Sequence, residues 1–495
     1  ASSLASYFYR RAEKAAPQIS LLSRVAVLVA GAICIGLCLF GIRGRMGYNP
    51  IKVSQAYYCE DPFLNQLGVN PVFNLLTSTL DDNRKENRTL HLMSEEDALS
   101  KVQKYLHRQG IDRLSPIARK VEREGTPNRR NVVLVFMESM SANLMGTFGS
   151  DKKLTPYLDS LYQQSLSFSH FYSSGIHTNH GIYSTLYSFP AIMKRNAMKG
   201  SVIPVYSGLP TVLQENGYCN LFFMTHESQY DNMNAFLRTN GFDEIYAQEN
   251  YPSEKVVNSF GVQDDFMYQY ALPILNERAG TGNPFFSVLL SISNHPPYVI
   301  PPYFHPHSDV LEEQIVEYAD WSIRQFMQAA EKQPWFDNTI FVFLGDHGKM
   351  VGTPECEMPQ SYNHIPLMIY GKDIKPGVYD GFGGQVDVSP TLLGLLNISY
   401  LQNNFGVNLL EEERPCMFFT ADNLIGARDS VNMFIYSPDS QQEFKYKLEE
   451  GKLHAATGTD EEAFRNLKDY CFSMLQSTES LVKEHKTLDK VSVKK

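Results

Sequence analysis

An uninterrupted apolar run from Val25 to Ile42 is bounded by Arg24 and Arg43. As a helix rising 1.5 Å per residue it would cover roughly 27 Å, close to the hydrocarbon thickness of a bilayer. It is long for the apolar stretch of a signal peptide, and no small-x-small cleavage pattern follows. The pattern therefore predicts a transmembrane helix over 21–43. Arg10, Arg11, Lys14 and Arg24 precede it, and Arg43, Arg45 and Lys52 follow. That slight bias puts segment 1–20 in the cytoplasm and the remainder on the periplasmic or extracellular side.

Residues 44–125 mix polar and apolar positions and are read as linker helices against the body. Asp61 to Ser78 carries apolar spacing around Pro71. Ser94 before Glu95 and Glu96 reads as an N-cap, with Gly110 as the matching C-cap. Asp81 to Arg88 is charged and predicted as loop.

From Asn131 the pattern changes. Asn131 to Met137 is a continuous apolar strand, as expected when both faces are buried in a parallel sheet. Asn220–Met224, Phe285–Ile292, Thr339–Leu344 and Pro366–Tyr370 read the same way. Helical periodicity lies between them at Thr155–Ser165, Leu209–Asn216, Asp264–Asn276 and Glu312–Glu331. This alternation over 126–400 predicts an α/β sandwich around a mostly parallel sheet. Beyond 401 it stops. Val431–Tyr436, Phe444–Glu449 and Lys452–Ala456 read as short antiparallel strands, the last two joined at Glu450-Gly451. An amphipathic helix over Asp460–Lys486 and a fraying lysine-rich end complete a small α+β subdomain, 401–495.

Length, 495 residues, suggests two to four units. A formal charge of -10 argues against nucleic acid as a partner but not against a phosphate substrate, because a bound cation reverses the local field. The seven cysteines include no C-x-x-C pair. That excludes a zinc-finger framework and a dense disulfide scaffold, and leaves room for one or two bridges if the body is exported. The chain opens on Ala1 rather than Met and is expected to be a fragment, a processed form or a trimmed form, which leaves the number of upstream membrane spans open.

The candidate chemistry lies at strand ends. Strand Thr339–Leu344 runs into Gly345-Asp346-His347-Gly348, and strand Asn131–Met137 runs into Glu138. In an open α/β sheet, ligands gather at the carboxyl ends of strands. A carboxylate beside an imidazole suits a divalent cation. Alone, Glu138 fits either a cation site or a helix N-terminal charge. Between them, Tyr172 to Gly181 holds Thr178 flanked by His177 and His180. Thr178 is a simple N-cap, a metal-activated nucleophile, or both.

Asn131–Met140, Leu154–Gly175, His226–Asp243, Asn294-His295-Pro296-Pro297-Tyr298, Gly345–Gly348 and Asp387–Leu396 occur in an order that resembles the alkaline phosphatase superfamily. The likeness is to its branch of lipoteichoic acid synthases and sulfatase-like membrane proteins. Thr155-Pro156-Tyr157-Leu158-Asp159 with Phe168–Tyr172, and Asp387-Val388-Ser389-Pro390-Thr391, are its widest signatures. The resemblance implies an alkaline phosphatase-like fold over about 126–400. Glu138, Thr178, Asp346 and His347 would hold one divalent cation, Mn²⁺ or Zn²⁺ with Mg²⁺ as a third option, and Thr178 would be the nucleophile. His226 and His295 would meet the substrate phosphate and leaving group, with Asp231 and Asn232 beside them. Two departures stand out. Ser228 replaces an acidic residue two positions after the first substrate histidine, and Tyr230-Asp231-Asn232-Met233 replaces an aromatic-Trp-Asn-Arg run. Both imply a different head-group pocket. His177 and His180 are open between base, ligand and loop packing. His364 is open between a second metal or substrate contact and a packed histidine at a strand entrance.

No C/S-x-P-x-R motif, the source of the sulfatase formylglycine, occurs in the chain. With that motif absent, the resemblance implies a metal-dependent phosphotransferase of the bacterial plasma membrane. It would move a phosphoglycerol or phosphoethanolamine group from a phospholipid to a cell-envelope glycan or lipid through a phospho-threonine. A phosphodiesterase, phosphatase or sulfatase-like hydrolase using the same site is the alternative.

Overall fold

The computed structural model describes residues 20–46, 50–59, 62–82, 84, 87, 89–111, 114–200, 203–449, 451–456 and 461–490. The cytoplasmic segment read from residues 1–20 lies outside them except for Ser20. So do Glu450 of the expected hairpin and Asp460. The chain forms two compact units, Ala1–Lys52 and Val53–Lys495.

In the first unit, helix α1 (Leu21–Arg43) is long and apolar enough to cross a membrane, and none of its residues is buried. Its ends are defined locally. The Ser20 hydroxyl accepts the Ser23 N–H at 3.2 Å. At the other end Gly44, at φ 79°, returns its N–H to the Phe40 carbonyl. Arg43 in the last turn complements the helix dipole.

In the second unit, Pro62–Leu67 and Pro71–Asp82 form two helices in place of one interrupted pattern. Helix α2 (Glu95–Tyr105) starts where expected, with the Ser94 hydroxyl accepting the Asp97 N–H at 3.2 Å. It ends before Gly110, because His107 turns the chain at φ 48°. This region is more than a linker. Val102, Leu106 and Ile117 join the main core, and Arg119–Val121 pairs antiparallel with Tyr400–Gln402.

An eight-stranded sheet organises the body. Its strands are β1 (Asn131–Met137), β2 (Leu166–Tyr172), β3 (Cys219–Met224), β4 (Glu244–Tyr246), β5 (Phe285–Leu290), β6 (Thr339–Gly345), β7 (Leu367–Tyr370) and β8 (Gly377–Gly384). In space the order is β8-β2-β7-β6-β1-β5-β3-β4. Only β7 runs against its neighbours β2 and β6, so the sheet is mostly parallel. The continuous apolar runs follow from burial on both faces. Val132, Leu134 and Phe136 of β1 enter one core, while Val133, Val135 and Met137 enter the other.

Helices cover both faces. Helix α3 (Pro156–Gln164), α6 (Asp264–Ala279) and α7 (Leu311–Ala330) pack with the second core. Helix α4 (Thr178–Tyr187), α5 (Leu209–Glu215) and α8 (Val388–Leu395) pack with the first. The C-terminal subdomain is a five-stranded antiparallel sheet, β9 (Met417–Thr420), β10 (Ile425–Arg428), β11 (Asn432–Ser437), β12 (Gln442–Glu449) and β13 (Lys452–Ala455), backed by α9 (Glu461–Lys483). The first two strands lack a sequence signal strong enough to separate them from loop. All seven cysteines are free thiols.

The Asp387 signature has a structural explanation. Asp387 is fully buried and accepts the Gly384 and Val407 N–H groups at 3.0 and 2.9 Å. It also takes two bonds from Arg414, at 2.7 and 2.6 Å. Arg414 continues to the Phe405 carbonyl at 2.5 Å, tying the loop after α8 to the start of the subdomain. Removing one partner of a buried pair strands the other charge, at about 3–5 kcal/mol. Arg414→Ala should lower unfolding stability in urea by that order. Arg414→Lys, which keeps charge but loses the two-pronged contact, should fall between it and the wild type.

Candidate active site

The site is set by strand register. β1 and β6 pair in parallel with Met137 opposite Gly345, so the next residues, Glu138 and Asp346, leave the sheet side by side. Both are buried, at 1% and 0% exposure. Ligand atoms of Glu138, Asp346 and His347 lie within 4.8 Å of one another, the one such group among the described residues.

Hydrogen bonds orient each group. Asp346 Oδ1 accepts the Ser139 and His347 N–H groups at 2.8 and 2.7 Å. Its Oδ2 is buried with no hydrogen-bond partner. His347 Nδ1 lies 2.8 Å from the Gly348 carbonyl, which fixes the proton there and turns Nε2 toward the carboxylates. Nε2 stands 3.7 Å from Glu138 Oε1 and 3.6 Å from Asp346 Oδ2. Glu138 Oε1 accepts the Ser139 hydroxyl at 2.7 Å, and Oε2 lies 3.3 Å from the Thr178 hydroxyl. Burial, then the Asp346 charge, pushes the Glu138 carboxyl well above the ordinary carboxylate range. Two inward-facing carboxylates, an imidazole lone pair and an orphaned oxygen fit a divalent cation well.

Thr178 is half-buried at the first turn of α4, where free backbone N–H groups and the helix dipole favour a phosphoryl oxygen. The helix reaches the strand end because position 181 is glycine: a Cβ there would stand 2.2 Å from the Asp346 carbonyl. His177 precedes the helix, and its Nε2 lies 2.5 Å from Asp422 Oδ1. His180 is buried under the same turn with its ring edge against His177, and burial pushes it down to about 3, keeping it neutral.

The other sequence candidates separate into two groups. His226 is buried after β3; its Nδ1 is 3.0 Å from the Glu227 carbonyl, while Nε2 has no partner. His295 is half-buried against Phe260, with ring centroids 4.2 Å apart. Asp231 accepts the Asn179 amide at 2.9 Å and pairs with Lys199 at 3.1 Å, so it is linked to the residue after Thr178. Asn232 spends its amide on the Met198 carbonyl at 2.8 Å. His364 stands apart from the ligand cluster. It bonds the Ser169 carbonyl at 2.9 Å and stacks on Tyr172, contacts that suit a histidine packed at a strand entrance.

Four residues that the sequence reading passed over complete the site. Ser139, at φ 50°, turns its amide onto Asp346 and its hydroxyl onto Glu138. Asn294 ties the carbonyls of Glu138 and Ser139 to the β5 loop, at 3.1 and 3.2 Å. Lys349 donates to Asn294 at 2.6 Å, and burial pushes its ammonium down to about 8. Gln385 bridges the Asp346 carbonyl at 2.7 Å and the Ser174 N–H at 3.0 Å. Ser139 and Asn294 fall inside segments that carry the family resemblance, but nothing in the sequence marked these four residues as parts of the site.

Burial also pushes His226 down to about 4. The folded protein then keeps it neutral while the unfolded chain takes up a proton near 6.5. Between those values the unfolded state binds more protons, so stability falls as pH drops through the window. One such group contributes up to about 3 kcal/mol. Thermal unfolding followed by circular dichroism from pH 7 to 4.5 should give a pH dependence whose stability loss toward acid is smaller in His226→Gln than in the wild type.

A model of the sulfatase family matches residues 130–398, more than half of the chain. The chain is 25% identical over 362 residues to a lipoteichoic acid synthase-like protein of Bacillus subtilis, covering 66% of this chain and 56% of that one. It is 24% identical over 400 residues to a lipoteichoic acid synthase of Staphylococcus aureus, covering 71% of this chain and 58% of that one. The chain thus spans little more than half the length of these relatives. An alkaline phosphatase superfamily protein from Vibrio parahaemolyticus superposes with a TM-score of 0.72 at 25% identity, over 80% of this chain and 97% of that one. The lipoteichoic acid synthase LtaP of Listeria monocytogenes shares the fold at a TM-score of 0.61 and 21% identity, over 78% of this chain and 98% of that one. With the fold of the alkaline phosphatase superfamily and this match over its central sheet, the chain belongs to the sulfatase family.

Proposed function

We propose that this protein is a membrane-anchored phosphotransferase. It would take a phosphoglycerol- or phosphoethanolamine-type group from a phospholipid and pass it to a cell-envelope glycan or lipid. The observation that carries the reading is Thr178 Oγ1 at 3.3 Å from Glu138, at a helix N-terminus that opens onto the Asp346–His347 pair. The lipoteichoic acid synthase relatives support it, and so does the lack of a formylglycine motif, which removes the nucleophile of a true sulfatase.

Glu138, Asp346, His347 and Thr178 would hold one Mn²⁺ or Zn²⁺, which when bound lowers the hydroxyl pKa and offsets phosphoryl charge. Three oxygens and one nitrogen suit Mn²⁺, and a tetrahedral set suits Zn²⁺. The Thr178 oxygen forms the new bond to phosphorus as the bond to the diacylglycerol oxygen breaks, and that oxygen leaves with a proton. His226 turns its Nδ1 proton to the Glu227 carbonyl, so Nε2, without a partner in the fold, would offer a lone pair that accepts the Thr178 proton and passes it to the leaving oxygen. An acceptor hydroxyl then takes the phosphoryl group, and its proton restores the Thr178 hydroxyl. With water in that role the same residues make a hydrolase.

The full chain, incubated with Mn²⁺ or Zn²⁺ and vesicles of phosphatidylglycerol or phosphatidylethanolamine, should release diacylglycerol and carry a glycerophosphoryl or phosphoethanolamine mass on the Thr178 peptide. Thr178→Ala should carry none and turn over at least about 10³-fold slower. Diacylglycerol release with Thr178 unmodified at every time point would sink the phospho-threonine step. Removal of the metal by chelation should abolish adduct formation. Asp346→Asn, which takes the charge from a direct ligand, should weaken Mn²⁺ binding in calorimetry by at least the roughly 10- to 100-fold that loss of an outer partner costs.

A further inference from the structure

A second cleft lies beside the loop that carries His295. The start of α6, the loop 299–303 and one face of α7 enclose about 480 Å³, within the range of small-molecule sites. Val257, Gln263 and Val299 line it and also line the narrow crevice against His295 and Phe260. The cleft therefore shares a wall with the substrate side of the site.

Its floor is aromatic and held rigidly. Tyr303 is 56% exposed, an unusual position for a large ring. Its hydroxyl donates to Asp265 Oδ2 at 2.9 Å, which fixes the ring. The other carboxylate oxygen takes the Tyr318 hydroxyl at 2.5 Å, and Tyr318 stacks behind Trp321 with centroids 5.9 Å apart. Tyr303 and Trp321 meet at 45° with centroids 6.3 Å apart. Phe266 closes the far side, with the Lys255 ammonium 5.7 Å from its ring centre. Glu254, Lys255 and Gln269 stand exposed on the rim.

A pyranose matches both halves of this surface. Its apolar C–H face suits the negative face of an aromatic ring, and rigid rings lose little entropy on contact. Its hydroxyl edge needs both donors and acceptors: Glu254 accepts, Lys255 donates and Gln269 does both. The alternatives fit worse. An acyl chain would strip water from the charged rim without replacing its hydrogen bonds. A phosphate or an anionic bilayer would meet Lys255 alone against Glu254 and Asp265.

We propose that this cleft seats a neutral sugar ring of the acceptor. Its role as the acceptor's seat rests on the transferase reading, but the binding of sugar does not. The chain has two tryptophans, and Trp335 is 4% exposed just before β6, at the amino ends of the strands. In the full-length Trp335→Phe variant, held in a sugar-free zwitterionic detergent, fluorescence reports Trp321. Titration with gentiobiose, chitobiose and lactose should give a saturable change for at least one disaccharide. Tyr303→Ala should abolish that change, and Gln269→Ala should weaken it at least tenfold, with the thermal unfolding midpoints retained. Inorganic phosphate and phosphatidylglycerol vesicles should leave the emission unchanged. A folded protein with no saturable response to any of the three sugars, or with a response to phosphate or vesicles only, overturns the inference. Sugar binding without a Thr178 adduct upholds the cleft and counts against the transferase. The adduct without sugar binding does the reverse.

Discussion

Two buried carboxylates held side by side are the constraint around which the body is arranged. The pairing of Met137 with Gly345 forces Glu138 and Asp346 together, and the sheet cannot keep its register and separate them. Two such charges at about 4–5 Å repel by on the order of 4 kcal/mol at an effective dielectric of 20. The fold answers only part of that cost. Ser139 and His347 amides serve one Asp346 oxygen, and the Ser139 hydroxyl serves one Glu138 oxygen. The remaining lone pairs converge with His347 Nε2 on one point. A proton on Glu138 can settle the charge, as its raised pKa shows, and a divalent cation settles it better.

Such convergence needs backbone segments to approach more closely than side chains allow. A Cβ on Gly345 would meet the Met140 carbonyl at 2.5 Å, and one on Gly348 the Ser361 carbonyl at 2.0 Å. With Gly181 against the Asp346 carbonyl, these contacts join the two strand ends and helix α4. The glycines around the Asp-His pair therefore matter for close packing rather than for a left-handed backbone. The Asp387–Arg414 pair performs a comparable service further out, where the chain leaves α8 for the C-terminal subdomain.

This logic explains which features could be read from the sequence. Central strands such as β1 and β6 carry unbroken apolar runs because both faces are buried, so their ends, and the residues just past them, can be located. β2 and β8 have partly exposed positions and weaker patterns. The reversed direction of β7 leaves no mark, since an antiparallel strand buried on both faces reads like a parallel one. Residues 89–121 read as linker because the partners that bury them, among them Gln476 and Glu479 of α9, lie several hundred residues away. Within the site, Glu138, Asp346 and His347 were legible from their place at strand ends. Ser139, Asn294 and Gln385 act on backbone groups brought near only by folding, and small polar residues in loops give no periodic signal.

The departures around His226 can now be placed in the structure. Ser228 accepts no substrate role from its contacts: its amide and hydroxyl are both held by Glu249. Asp231 is held by Asn179 and Lys199, and Asn232 by the Met198 carbonyl. These residues brace the loop against α4 and the loop before α5. Lys349, anchored on Asn294 and within the field of Glu138, brings an ammonium to the site, where the related pattern has an arginine. An ammonium is a point charge where a guanidinium is a fork. Under the proposed phosphotransferase reading, such a site would keep the charge compensation and lose the two-pronged geometry that holds one head-group orientation.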